Sequence, residues 1–341
     1  MLRRCVINSK PKNRSVSLST NKHPSAVVFG CAGTTLSKEE KKFFTAVNPV
    51  GFILFARNIE TPEQVKTLIA ELRACTDRPD APVLVDQEGG RVARLKPPFW
   101  SVFPAQKVFG DWYGLDKDVA KELCAKNFAA IGRELADLGF NVDCSPVLDV
   151  PVEGANPQVV GDRPFSFNPD VVAELGAVAC ESLMQEGVLP VIKHIPGHGR
   201  AKTDSHFDLP VVDTDLETLK ETDFKPFKAL AGLSPWAMTA HLLYTAIDAK
   251  KPASLSEKVI ETVIRGEIGF DGFLICDDLS MKALSGHFSD LTKQALAAGC
   301  DAVLHCNGDM KEMKKIASAA RPLTDKAWER YCRGQEAVLG K

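Results

Sequence analysis

Val188-Leu189-Pro190-Val191-Ile192-Lys193-His194-Ile195-Pro196-Gly197-His198-Gly199 opens as an unbroken apolar run and breaks at once into a lysine, two histidines and a glycine-rich turn. The apolar half reads as a buried strand and the polar half as the loop that leaves it. A strand ending in a polar cluster is a common way to build a site on a rigid scaffold. Thr203-Asp204-Ser205-His206 comes directly after, so three of the seven histidines fall within fourteen residues.

The same pattern recurs on either side. Apolar, β-rich runs occur at Ala26–Cys31, Gly51–Phe55, Pro82–Val85, Val142–Val147, Leu189–His194, Trp236–His241, Phe273–Cys276 and Ala302–His305. Segments of helical periodicity lie between them. Several open on an N-cap residue with an acid in the first turn, at Ser37, Thr61 and Ser256. Two longer ones, Lys117–Leu138 and Asp170–Gln185, are followed closely by Gly139 and Gly187, as a C-cap requires. Eight strands each followed by a helix imply βαβ units and a parallel sheet. The fold class expected is α/β, a single (β/α)8 TIM barrel over residues 25–341. The first glycines, Gly30-Cys31-Ala32-Gly33, fit neither a dinucleotide fingerprint nor a phosphate loop.

A barrel places its site at the strand C-termini, and the polar residues gather there. Arg57-Asn58 follows the second run, Asp86-Gln87-Glu88-Gly89-Gly90-Arg91 the third and Asp149 the fourth. His194 ends the fifth, His241 the sixth and Asp277-Asp278 the seventh. A packed core would not tolerate so many charges, so they are expected to face the mouth.

Composition limits the alternatives. The chain is 45% apolar and 25% charged with net charge −2, which offers no electrostatic case for nucleic acid or a membrane surface. No apolar stretch approaches membrane-helix length. The ten cysteines include no CxxC pair and read as free thiols of a reducing compartment. Residues 1–24 are basic without one acid and read as a disordered extension, a transit peptide being the alternative.

The chemistry of the candidates stays open at this level. Asp277, at a strand tip, suits a nucleophile or base, and Asp278 suits an N-cap before Leu279-Ser280-Met281. Asp204-Ser205-His206 reads as a turn or as a carboxylate–imidazole proton-transfer dyad. A serine triad is disfavoured, since sequence neighbours rarely converge and no GxSxG elbow exists. His194, His206 and His241 form a possible metal set, although Pro196 and Gly197 exclude an HExxH helix. The Asp86–Arg94 segment pairs carboxylates with guanidinium groups and suits a polyhydroxylated ligand, the bland reading being a structural ion pair.

Taken together, GFILFARN (51–58), DQEGGRVAR (86–94), SPVLDV (145–150), GDRPFS (161–166), KHIPGHGRAKTDSH (193–206), MTAHL (238–242), PASLS (252–256) and CDDLSM (276–281) resemble glycoside hydrolase family 3. The likeness is to its single-domain bacterial β-N-acetylglucosaminidases. It implies a retaining mechanism with Asp277 as nucleophile and His206, partnered by Asp204, as acid/base. It implies that Asp86, Arg94, Arg163, Lys193 and His194 hold the sugar. The substrate implied is an N-acetylglucosaminyl-anhydro-N-acetylmuramic acid muropeptide from peptidoglycan recycling, cleaved in the cytoplasm by a monomer without cofactor or metal. Some members of this histidine type use phosphate as acceptor, which makes a phosphorylase the near alternative. His198, between the two groups of candidates, falls to loop structure.

Overall fold

A computed structural model describes residues 23–155, 160–201 and 209–339. Residues 1–22, which hold nearly all of the expected extension, lie outside the described residues.

Eight parallel strands close into a barrel: β1 (Ser25–Gly30), β2 (Pro49–Leu54), β3 (Val83–Val85), β4 (Val142–Asp143), β5 (Leu189–Ile195), β6 (Trp236–Thr239), β7 (Phe273–Asp278) and β8 (Ala302–His305). Each pairs with its neighbours in the chain, and β1 closes on β8 with Val28 opposite Leu304. Helices lie between consecutive strands, so this is the (β/α)8 barrel that the alternation of runs predicts. No helix among the described residues is long and apolar enough to cross a membrane.

Local chemistry explains the boundaries. Ser37 caps the first helix, α1 (Lys38–Val47), in a reciprocal box with Glu40, and Thr61 caps α2 (Pro62–Ala74). A long helix runs Lys117–Leu138 and stops at Gly139, whose φ of 96° favours a residue without Cβ. Ser256 Oγ accepts the Val259 N–H, but the helix it starts, Val259–Glu267, closes i→i+5 bonds such as Ile268 N–H to Val263 C=O.

One strand is much shorter than expected. The run Val142–Val147 contributes only Val142–Asp143 to the sheet, because Pro146 has no N–H to donate to a ladder. The chain stays beside β5 nonetheless, with Val191 N–H donated to Ser145 C=O and Leu148 N–H to Lys193 C=O. Strand β5 is itself irregular: its register against β6 shifts between Lys193 and Ile195. In a regular strand successive side chains face opposite sides, and a bulge breaks that rule. Lys193 and His194 therefore both line the mouth.

Candidate active site

A cavity of about 340 Å³ opens at the C-terminal ends of the strands, within the range of small-ligand sites. Its most charged wall joins the segment that follows β3 to residues 75 and 107 positions further along the chain. Asp86 follows β3; Glu88 lies in a tight hairpin pairing Gln87–Gly89 with Val92–Ala93; Lys193 projects from β5. Lys193 Nζ stands 2.9 Å from Asp86 Oδ1 and 2.6 Å from Glu88 Oε1. Arg94 Nη2 donates to Asp86 Oδ2 at 2.8 Å, while Arg163 grips Glu88 with Nε at 2.9 Å and Nη2 at 2.8 Å. The hairpin turns through Gly89 and Gly90 at φ 89° and 59°. A Cβ on Gly89 would lie 2.3 Å from Pro104 O, so only glycine lets the chain return Arg94 to Asp86.

The centre of this network is dry, with Lys193 2% and Glu88 1% exposed, while Arg94, Arg163 and Asp86 are partly open to the cavity. Burial pushes the Glu88 carboxyl up, but Arg163 and Lys193 outweigh it and hold the group down to about 2. Burial likewise opposes the charge on Asp86, and Lys193 and Arg94 keep it well below the usual carboxylate range. Lys193 is held above its ordinary value by the same two acids against burial. All five groups are thus ionised at neutral pH and held in place by one another.

The second wall is imidazole. His194 Nδ1 donates to Asp149 Oδ2 at 2.7 Å, and Asp149 Oδ1 accepts the backbone N–H groups of His194 at 3.1 Å and His198 at 2.7 Å. This orients the ring and leaves Nε2 as its remaining polar atom. The His198 ring lies tilted against His194, centroids 5.3 Å apart, and also lines the cavity, which corrects its assignment to mere loop structure. Burial, with His194 beside it, lowers the His198 imidazole to about 4.

Asp277 lines the cavity from the tip of β7. Among the described residues its side chain accepts one hydrogen bond, from the Asp278 N–H to Oδ1 at 2.8 Å. Burial pushes its carboxyl up; the facing imidazoles of His241 and His194, with that N–H, pull it below the ordinary carboxylate value. The nearby cations Lys193 and Arg163 are committed to Asp86 and Glu88.

Other expected mouth residues are tied up by structure, although Asp278 lines the cavity as well. Asp278 accepts from Ser280 N–H, Ser280 O–H and Cys306 N–H, so it holds a turn, and the next helix starts only at Phe288. Arg57 and Asn58 donate to the backbone carbonyl of Cys31, Asn58 also to Gly33. His241 uses both ring nitrogens, at 2.7 Å from Ser254 Oγ and 3.1 Å from Asp278 O, which removes it from the proposed metal set. Asp204 and His206 lie outside the described residues. Of the sequence candidates, the structure brings together Asp86, Arg94, Arg163, Lys193, His194 and Asp277 around one cavity. Sequence reasoning placed Glu88 and Asp149 among the polar residues of the mouth but assigned neither a role. Glu88 carried a signal, standing two residues from Asp86 and so on the same side of an extended segment.

Known proteins share this arrangement of chain. Residues 23–329 match the N-terminal domain of glycosyl hydrolase family 3. A β-hexosaminidase of Nitrosomonas eutropha is 35% identical over 320 residues, which cover 90% of this chain and 88% of the relative. A β-hexosaminidase of Pseudomonas aeruginosa is 36% identical over 298 residues, covering 87% and 86%. The crystal structure of NagZ from Neisseria gonorrhoeae in complex with N-trifluoroacetyl-D-glucosamine superimposes with a TM-score of 0.84 at 31% identity, over 93% of each chain. The chain belongs to glycosyl hydrolase family 3, among its β-hexosaminidases.

Proposed function

We propose that this protein is an exo-acting, retaining β-N-acetylglucosaminidase. The observation that carries the reading is Asp277: a carboxylate kept ionised at a strand tip, in one cavity with a prebuilt array of polar groups. Asp86, Arg94, Arg163, Lys193 and His194 hold the terminal N-acetylglucosamine, whose hydroxyls both donate and accept hydrogen bonds. Asp277 attacks the anomeric carbon and forms a covalent glycosyl-enzyme as the glycosidic C–O bond breaks. His206, partnered by Asp204, protonates the leaving oxygen and then takes a proton from the attacking water. The roles of these last two residues rest on the resemblance of the KHIPGHGRAKTDSH segment. The substrate is a muropeptide, N-acetylglucosaminyl-β-1,4-anhydro-N-acetylmuramic acid with or without peptide, cleaved by a cytoplasmic monomer during peptidoglycan recycling.

Incubation with a 2-fluoro glycosyl donor tests the reading directly. The label is expected on the peptide that carries Asp277; a label elsewhere, or none while the enzyme turns over, overturns the nucleophile. Product analysis in phosphate separates hydrolysis from phosphorolysis, the expected product being free N-acetylglucosamine rather than its phosphate.

A further inference from the structure

Asp143 closes β4 and is fully buried, 0% exposed, behind the cavity wall rather than in it. Its Oδ1 accepts the backbone N–H of Gln87 at 2.9 Å and its Oδ2 accepts the Ser145 O–H at 2.7 Å. Gln87 is the residue between Asp86 and Glu88. Its side chain faces away from the cavity, where Oε1 accepts the N–H groups of Arg94 at 2.9 Å and Leu95 at 3.1 Å, and Nε2 donates to Leu95 C=O at 3.2 Å. One oxygen of Asp143 therefore fixes the peptide unit that joins the two acids gripping Lys193, and Gln87 ties the same point to the return strand that bears Arg94.

A carboxyl in this place is costly for the barrel. Among the described residues no lysine or arginine hydrogen-bonds to it, and burial pushes it up to about 7 despite Ser145, the Gln87 N–H and the more distant Lys193. An inward apolar side chain would pack a barrel layer without that desolvation. What the apolar side chain lacks is an acceptor aimed at Gln87.

We infer that Asp143 is a positioning residue for the sugar-binding wall: its hydrogen bond to Gln87 sets where Asp86 and Glu88 stand and, through them, where Lys193 is held. The inference rests on the proposed reading of that wall as the sugar site. Misplacing binding groups by an ångström weakens recognition without removing any of them.

The test compares Asp143→Ala, Asp143→Asn and Ser145→Ala in the full chain, with kcat and KM measured on a nitrophenyl N-acetyl-β-glucosaminide and folding checked by circular dichroism. Asp143→Ala is expected to raise KM about tenfold with kcat changed far less, the mark of lost ground-state binding. Asp143→Asn, whose amide oxygen still accepts the Gln87 N–H, is expected to restore KM to near wild type; Ser145→Ala leaves it unchanged. A folded Asp143→Ala with wild-type KM overturns the inference, as does an Asp143→Asn variant as impaired as Asp143→Ala. Should Asp143→Ala not fold, Asp143→Ser keeps a small polar group that cannot reach Gln87, and the same KM outcomes decide. Absence of turnover by the wild type would instead sink the glycosidase reading itself.

Discussion

The two ends of the barrel carry the same set of charges for opposite purposes. At the mouth, Arg94, Lys193 and Arg163 pair with Asp86 and Glu88. At the opposite end, Arg265, Arg330 and Arg333 pair with Asp271 and Asp301. The lower network, besides its side-chain pairs, reaches into the backbone: Asp301 Oδ2 accepts the Leu274 N–H at 2.9 Å, and Arg265 donates to Phe270 C=O and Gly272 C=O, both at 2.8 Å. It staples the entry of β7. The upper network bonds mainly side chain to side chain, and all five members line the cavity. Charge content alone does not mark a site, and neither does a cavity, since Asp271, Arg330 and Arg333 also line one; what decides is whether the charges brace backbone groups or share their cavity with Asp277. Barrels divide in this way generally, with chemistry above and stability below.

The sharpest way to break this comparison is at Asp277. Asp277→Ala is expected to lower kcat at least ~1000-fold while leaving the melting temperature within a few degrees. Retained activity would show that the mouth is not where the chemistry lies. His206→Ala comes next, and its effect depends on the leaving group. A loss of ~100-fold or more is expected for a disaccharide and little for a nitrophenyl leaving group, because only the former needs protonation. Equal losses on both substrates would remove the acid/base role.

A matched pair then compares the ends directly. Asp301→Ala strips Arg330 and the Leu274 N–H of a buried partner and is expected to cost about 3–5 kcal/mol in denaturant unfolding, with kcat/KM of the folded protein unchanged. Glu88→Gln at the mouth should also cost stability, since Arg163 and Lys193 lose a counter-charge, but unlike Asp301→Ala it should raise KM. If the two variants behave alike, the division between stapling and binding fails.

The smallest expected effect is on acid stability. Glu88 is ionised in the folded state down to about 2 against an ordinary 4.5, so its contribution is complete above pH 4.5 and disappears as pH falls through about 2. The unfolded chain takes up the proton first, hence acid favours unfolding in that window. Asp86 acts in the same direction. Glu88→Gln should therefore show a shallower loss of melting temperature over that range than the wild type; an equal slope would mean that the charge of Glu88 is not held as described.

How far the sequence can be read varies with the kind of question. Strand and helix positions are legible because they depend on local period and punctuation. Lys117–Leu138 with Gly139 reads correctly to the residue, and Ala302–His305 likewise. The fourth strand is overextended in the sequence reading, since the apolar run continues through Pro146 although the ladder does not. Within the site, Asp86, Arg94, Arg163, Lys193, His194 and Asp277 emerge from strand tips and the family likeness. Arg57, Asn58 and Asp278 sit at equivalent tips and yet are absorbed by backbone groups. Glu88 and Asp149 are legible as mouth residues but not in their roles, because their partners, Arg163 and His194, are 75 and 45 residues distant.

By itself, then, the sequence determined the eightfold alternation, the end of the barrel at which polar residues would collect, and the family. These come from periodicity and from short motifs, which are properties of neighbours in the chain. Only the tertiary structure decided which polar residues face the void. That choice depends on the bulge in β5 that turns Lys193 and His194 the same way, on the glycine turn that returns Arg94 to Asp86, and on Asp143 behind Gln87. The physical reason is that a side chain at a strand end has several hydrogen-bonding choices of similar energy, and packing from distant segments selects among them.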